Sequence, residues 1–88
     1  MNTAYVVIIR TTKDDCFRVN VYSNEQKAQY EAAWWCMEHW DDYYTEGDYD
    51  WMVPDEIIDY FQEQNPEVEI YIEERKFDLK FDAQSYFN

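Results

Sequence analysis

The chain has 88 residues, of which 20 are Asp or Glu and 7 are Lys or Arg, so its formal net charge is −13. This charge excludes unaided binding to nucleic acid or to an anionic membrane surface, because both are polyanions that would repel it. An aromatic content of 20% excludes a disordered acidic segment, since such segments lack aromatic residues. We therefore expect one folded domain over residues 1–88, with reduced cysteines, in the cytoplasm.

Two β-strands are predicted at the start of the chain. Residues 4–12 are rich in β-branched residues and apolar on both faces, which predicts an interior strand. Residues 16–22 alternate, with Phe17, Val19 and Val21 on one face. The polar residues 12–15 between these segments indicate a turn, so the two strands should form a β-hairpin.

Two helices are predicted after the hairpin. Ser23 and Gln26 fit a capping box, so we expect the first helix to begin at Ser23 and to run to about Tyr44. Its apolar stripe should comprise Ala28, Ala32, Trp35 or Cys36, His39 or Trp40, and Tyr43. Pro54 suits the first turn of a second helix, which the Asn65-Pro66 pair should end. The residues of that helix expected to be buried are Ile57, Ile58 and Phe61.

The C-terminal part of the chain predicts two further strands. Val68, Ile70 and Ile72 are apolar at even positions, whereas the apolar residues of segment 77–81 fall at odd positions. One unbroken strand would therefore turn its apolar side to the opposite face, so we expect a turn or bulge around residues 73–76. The predicted order is ββααββ, an α+β fold with a small antiparallel sheet and two helices packed on one face.

The sequence does not indicate catalytic, metal or cofactor chemistry. Cys36 and His39 are spaced like metal ligands, but no second pair completes a tetrahedral zinc site. There is no glycine-rich phosphate loop and no nucleophile elbow, and one His is present to serve as a base. We expect a protein that is not an enzyme and that takes no cofactor.

The acidic residues are concentrated in the middle of the chain. Residues 28–74 contain 15 Asp or Glu and no Lys or Arg, whereas an ordinary solvated face interleaves both signs. Asp55, Asp59 and Glu63 repeat every four residues on the second helix, a rise of about 6 Å. Glu67, Glu69 and Glu73 are expected to share one face of a strand. The candidate partner-binding residues are Glu38, Asp41, Asp42, Glu46, Asp48, Asp50, Asp55, Glu56, Asp59, Glu63, Glu67, Glu69 and Glu73.

Aromatic residues within the acidic stretch are candidate apolar anchors for a partner, since Tyr and Trp are favoured at interaction hot spots. These residues are Tyr43, Tyr44, Tyr49 and Trp51. The same rings are equally consistent with a buried position, as are Trp34 and Trp35.

In size, acidity and aromatic content the chain resembles the small phage-encoded DNA-mimic proteins that disarm host defence, such as Ocr-like, Arn-like and anti-CRISPR proteins. The resemblance concerns mainly residues 28–74 and extends to composition and charge spacing, without a motif that aligns residue by residue. It implies a non-enzymatic inhibitor that mimics the phosphate backbone of DNA or RNA. The implied partner is a basic nucleic-acid-binding protein: a restriction enzyme, a CRISPR effector or a nucleoid protein.

Two further expectations concern partners. The alternative to a mimic is a shape-specific protein-interaction module, or an antitoxin-like adaptor, whose acidic face is merely solvated. We also expect a homodimer, because two helices can cover only one of the two apolar faces of the first strand. Tyr5, Val7 and Ile9 lie on one of these faces, and Val6 and Ile8 lie on the other. Whichever face the helices leave uncovered must then meet either the Tyr86-Phe87 segment or a second subunit, through the less acidic hairpin that carries Arg10 and Arg18.

Overall fold

The described part of the chain folds into a three-stranded antiparallel sheet with two helices on one side. The computed structural model describes residues 2–12 and 16–77, in the order β1 (Asn2–Thr11), β2 (Cys16–Tyr22), α1 (Glu25–Glu38), α2 (Pro54–Gln64) and β3 (Val68–Phe77). The strand order is β2-β1-β3. The predicted α+β class, the hairpin and the interior position of β1 are therefore confirmed.

The pairing register divides the sheet residues between two faces. Val7 and Ile9 of β1 pair with Ile72 and Ile70 of β3, and this set faces the helices. Successive side chains of a strand point to opposite faces, so Val6, Ile8 and their neighbours face away from the helices. We call this second side of the sheet the open face.

The core lies between the sheet and the two helices. Phe61 of α2 is completely buried. Its ring packs edge-on against the rings of Trp35 and Tyr43, with distances between ring centroids of 5.8 and 5.5 Å. The predicted apolar stripe of α1 is confirmed as buried at Ala28, Ala32, Trp35, Cys36, Trp40 and Tyr43. The predicted residues of α2, namely Ile57, Ile58 and Phe61, are buried as well.

The prediction for α1 was wrong at both ends. The N-cap is Asn24, whose side-chain Oδ1 accepts a 2.7 Å hydrogen bond from the backbone N–H of Lys27. The helix ends at Glu38 and gives way to turns over residues 39–44. The N–H of Thr45 bonds the carbonyl of Trp40, five residues back, and Tyr44 adopts a left-handed φ of 54°. These turns bury Trp40 and Tyr43 at helix-like spacing, which explains the error.

The expected turn or bulge around residues 73–76 was also wrong. β3 pairs one-to-one with β1 from Val68 to Phe77, without interruption. Residues 73–76 are poor turn formers, and β1 supplies partners as far as Asn2. Glu74 and Lys76 continue the helix-facing side of β3 but are exposed, so polar residues replace apolar ones where the core ends. The rest of the predicted fourth strand, residues 78–81, lies outside the described residues.

Candidate functional site

The helix side of the molecule carries a dense group of carboxylates. Ten of the candidate acidic residues are exposed, on the last turn of α1, on the connection that follows it, and on α2. No Lys or Arg occurs anywhere in residues 28–74. We call this group the acidic surface: Glu38, Asp41, Asp42, Glu46, Asp48, Asp50, Asp55, Glu56, Asp59 and Glu63.

The amphipathic pattern of α2 positions part of the acidic surface. Because Ile57, Ile58 and Phe61 pack into the core, Asp55, Asp59 and Glu63 are left on the solvent side. Each is separated from the next by about 6 Å along the helix axis. Carboxylates at the N-terminal end of a helix also interact favourably with its dipole. The same pattern that folds α2 therefore aligns a row of negative charges.

Two hydrogen bonds hold the connection between the helices in place, one donated by α2 and one donated from within the connection. The Tyr60 hydroxyl donates a 2.8 Å bond to the carbonyl of Glu46, and Trp40 Nε1 donates a 3.2 Å bond to the carbonyl of Gly47. The rings of Trp40 and Tyr60 stack at 5.7 Å. Gly47 has a φ of +87°, and a Cβ there would lie 3.2 Å from the Tyr60 hydroxyl oxygen. These contacts place the backbone of residues 46 and 47 beside Tyr60 of α2.

The acidic residues of β3 lie elsewhere. Glu69 and Glu73 are on the open face, opposite Arg10 and Val6 of β1 and on the far side of the sheet from the helices. Glu73 forms an ion pair with Arg75, and Glu69 accepts a 3.1 Å hydrogen bond from the Tyr71 hydroxyl. Glu67 precedes the strand in a turn. The structure therefore does not bring Glu69 and Glu73 together with the acidic surface, and Glu67 does not share their strand.

The four candidate aromatic anchors differ in exposure. Tyr43 is buried in the core, so it cannot serve as an anchor, and this expectation is corrected. Tyr49 is half-buried, with its ring 5.0 Å from Trp40. Tyr44 and Trp51 are 85% and 88% exposed. Two aromatic side chains therefore project from the acidic surface.

A cleft that the sequence did not predict lies between β2 and α1. Its volume is about 220 Å³, and it is lined by Val7, Ile9, Arg18, Asn20, Tyr22, Glu31, Trp34, Trp35 and Glu38. Burial and the nearby Glu31 carboxylate raise the pKa of Tyr22 above its usual value. Trp34 is 58% exposed whereas Trp35 is buried. In the sequence, the spacing of Glu31, Trp34 and Glu38 puts these three residues on one face of a helix, and this pattern could have indicated the cleft wall.

The Cys36 and His39 pair has a structural role. Burial raises the pKa of the Cys36 thiol to about 12, so the thiol stays protonated at neutral pH. His39 Nδ1 lies 2.9 Å from the carbonyl oxygen of Trp35, and the His39 ring stacks on the Trp35 ring at 4.3 Å. A protonated thiol is a poor nucleophile and a poor metal ligand. Packing therefore accounts for both residues.

Comparisons with known proteins do not identify a relative of this chain. No protein-family model, curated protein or solved structure matches the chain. Within residues 2–12 and 16–77, neither helix has the length and apolar character needed to cross a membrane. The same residues contain no group of three His, Cys, Asp or Glu side chains that could hold a metal ion.

Proposed function

We propose that this protein is a non-enzymatic inhibitor that mimics the phosphate backbone of DNA or RNA. It would block a basic nucleic-acid-binding site on another protein. The observation that carries the proposal is the acidic surface, ten exposed carboxylates between residues 38 and 63 without a Lys or Arg among them. Carboxylates spaced by several ångströms approach the charge density of a nucleic-acid strand.

Charge would drive binding to the partner, and the preorganised loop would increase the affinity. A carboxylate row attracts a basic groove at long range and releases the counterions bound there. Because Tyr60 ties the loop to α2 and Trp40 bonds the loop internally at Gly47, less conformational entropy is lost when the loop carboxylates meet a partner. Tyr44 and Trp51 would add apolar contact at this surface.

The partner class follows from the charge of the surface. A basic nucleic-acid-binding protein, such as a restriction enzyme, a CRISPR effector or a nucleoid protein, carries the complementary groove. Under this proposal the inhibitor would act in the cytoplasm of a host cell. Nucleic acid itself and anionic membranes would be repelled.

One observation favours a second candidate function, a shape-specific interaction module or antitoxin-like adaptor. The cleft between β2 and α1 has an apolar floor of Val7 and Ile9, and the exposed Trp34 forms part of its wall. A concave site with a few polar groups recognises shape as well as charge. An adaptor that binds through this cleft would not need the carboxylates of α2.

Charge reversal tests the proposal and separates the two candidates. We would immobilise the chain, capture proteins from a bacterial lysate, and compare the variant D55K/D59K/E63K with wild type. Retention of the basic proteins that wild type captures should fall at least tenfold, while far-UV circular dichroism stays unchanged because these side chains face solvent.

The matched control reverses three exposed carboxylates outside the acidic surface, as E25K/E31K/E74K, with the same change in net charge. We expect this control to capture the same basic proteins as wild type, in the same amounts. Loss of capture in the control but not in the α2 variant would contradict the mimic and favour the cleft, which Glu31 lines.

A further inference from the structure

The open face of the sheet exposes an apolar patch across all three strands. Ile8 lies between Val19 and Tyr71, and Val6 lies between Val21 and Glu73. Four large side chains on this face are between 48% and 67% exposed, namely Phe17, Val19, Val21 and Tyr71. None of them belongs to the buried core cluster. A patch of this kind on a small domain marks an interaction surface.

The charge of the open face differs from that of the rest of the molecule. Among the described residues, this face carries two cations, Arg10 and Arg75, and two carboxylates, Glu69 and Glu73. Arg10 lies opposite Glu69 in the register, and Arg75 is paired with Glu73. The face is therefore neutral overall in a chain of net charge −13. Arg18 does not belong to it, because Arg18 faces the helices and lines the cleft.

We propose that the open face binds a second copy of this chain, forming a two-fold dimer in which two sheets pack face to face. Two chains of charge −13 repel each other in most orientations, and a neutral apolar face is where they approach with least repulsion. A face with both signs of charge around an apolar centre is also self-complementary under a two-fold axis. This inference stands apart from the proposed function, since it uses the opposite side of the sheet.

The dimer has a consequence for the acidic surface. With the sheets in contact, the two helix layers lie on the outside and their acidic surfaces point in opposite directions. Dimerisation through this face therefore does not join the two surfaces into one longer surface. It would give one dimer two separate sites, each able to occupy one partner molecule.

Sedimentation of the full chain with a charge-matched pair of variants tests the dimer. We would compare wild type with V19K/V21K on the open face and with the control W51K/V53K, which alters two exposed apolar residues on the helix side. Both double variants reduce the net negative charge equally, so a difference between them cannot come from the change in net charge. Sedimentation equilibrium at 5–100 μM protein (about the range for a small interface) in 50 and 500 mM NaCl gives the dissociation constants.

Wild type and the control should be dimers, tighter at the higher salt because repulsion is screened. V19K/V21K should weaken the dimer at least about 30-fold, as loss of an interface hot spot does. If that double variant fails to fold by circular dichroism, the single V21K substitution replaces it. A wild-type monomer at 100 μM in 500 mM NaCl would overturn the proposal and indicate residues 78–88 as the cover of this face.

Discussion

The side-chain amide of Asn65 donates a 3.0 Å hydrogen bond to the hydroxyl of Thr45, twenty residues earlier in the chain. Both residues are buried, and the same amide nitrogen also lies 2.9 Å from the carbonyl oxygen of Phe61. The bond joins the connection between the helices, at Thr45, to the residue that follows the C-terminal end of α2. Together with the Tyr60 bond to the carbonyl of Glu46, it fixes the loop along the helix.

Loss of the Asn65 amide should release this link. We expect N65A to lower the free energy of unfolding by about 1–3 kcal/mol, because buried polar partners are left unsatisfied. Amide hydrogen exchange should accelerate over residues 45–47 more than in the core. Urea unfolding and exchange mass spectrometry measure both effects. The control Q64A, at an exposed position one residue earlier, should change stability by less than about 0.5 kcal/mol, and equal losses in the two variants would contradict this role.

Binding to the captured basic partner should depend steeply on salt. If six or more charge contacts form, the dissociation constant should rise on the order of a thousandfold between 50 and 200 mM NaCl, because many contacts are screened together. Isothermal titration or fluorescence anisotropy at several salt concentrations gives the slope. A dissociation constant that changes less than threefold over this range would be incompatible with a charge mimic.

Trp51 should contribute to the affinity for that partner. Its side chain is almost fully exposed at the acidic surface, so W51A should weaken binding about tenfold while the fold stays intact, as for an interface hot spot of moderate strength. The matched control is W34A, which removes the exposed tryptophan of the cleft. The same titration measures both variants. Weakening by W34A alone would assign recognition to the cleft.

The buried thiol of Cys36 should make stability fall in alkaline solution. Its pKa is raised by burial to about 12 from the ordinary value of 9.0, so the unfolded chain releases this proton at lower pH than the folded chain does. The contribution of the protonated Cys36 thiol to the free energy of unfolding is complete below pH 9 and is lost as the pH rises toward 12. Urea unfolding at pH 8 and 10.5 should show a larger loss for wild type than for C36A. Parallel losses in the two proteins would contradict the assignment.

The sequence predicted the elements whose ends are marked by distinctive residues. α2 begins at Pro54 and ends before the Asn65-Pro66 pair, because proline is favoured in a first helical turn and disfavours helix just before it. The N-cap of α1 is Asn24, one residue after the predicted Ser23, and both residue types are good N-caps. The end of α1 was missed because the turns after Glu38 bury Trp40 and Tyr43 at the spacing of a helix.

The candidate site was predictable in charge and less so in geometry. The absence of Lys and Arg from residues 28–74 is a property of the sequence, and it correctly indicated exposed carboxylates on α2. Glu69 and Glu73 lie across the sheet from α2 because of how β3 pairs with β1. This pairing joins residues far apart in the sequence, so the spacing of nearby residues does not predict it. The helical spacing from Ala28 and Ala32 did predict that Trp35 is buried, whereas the exposure of Trp34 is known only from the packing of α1.

Competition with duplex DNA tests most directly whether the acidic surface occupies a nucleic-acid site. The purified partner would be titrated with this protein in the presence and absence of a 30-base-pair duplex at constant ionic strength. At a free duplex concentration about ten times its own dissociation constant, simple competition should raise the apparent dissociation constant about elevenfold. This protein alone should not retard the duplex in a gel, so competition cannot arise from sequestered DNA. An apparent dissociation constant that the duplex leaves unchanged would contradict the mimic.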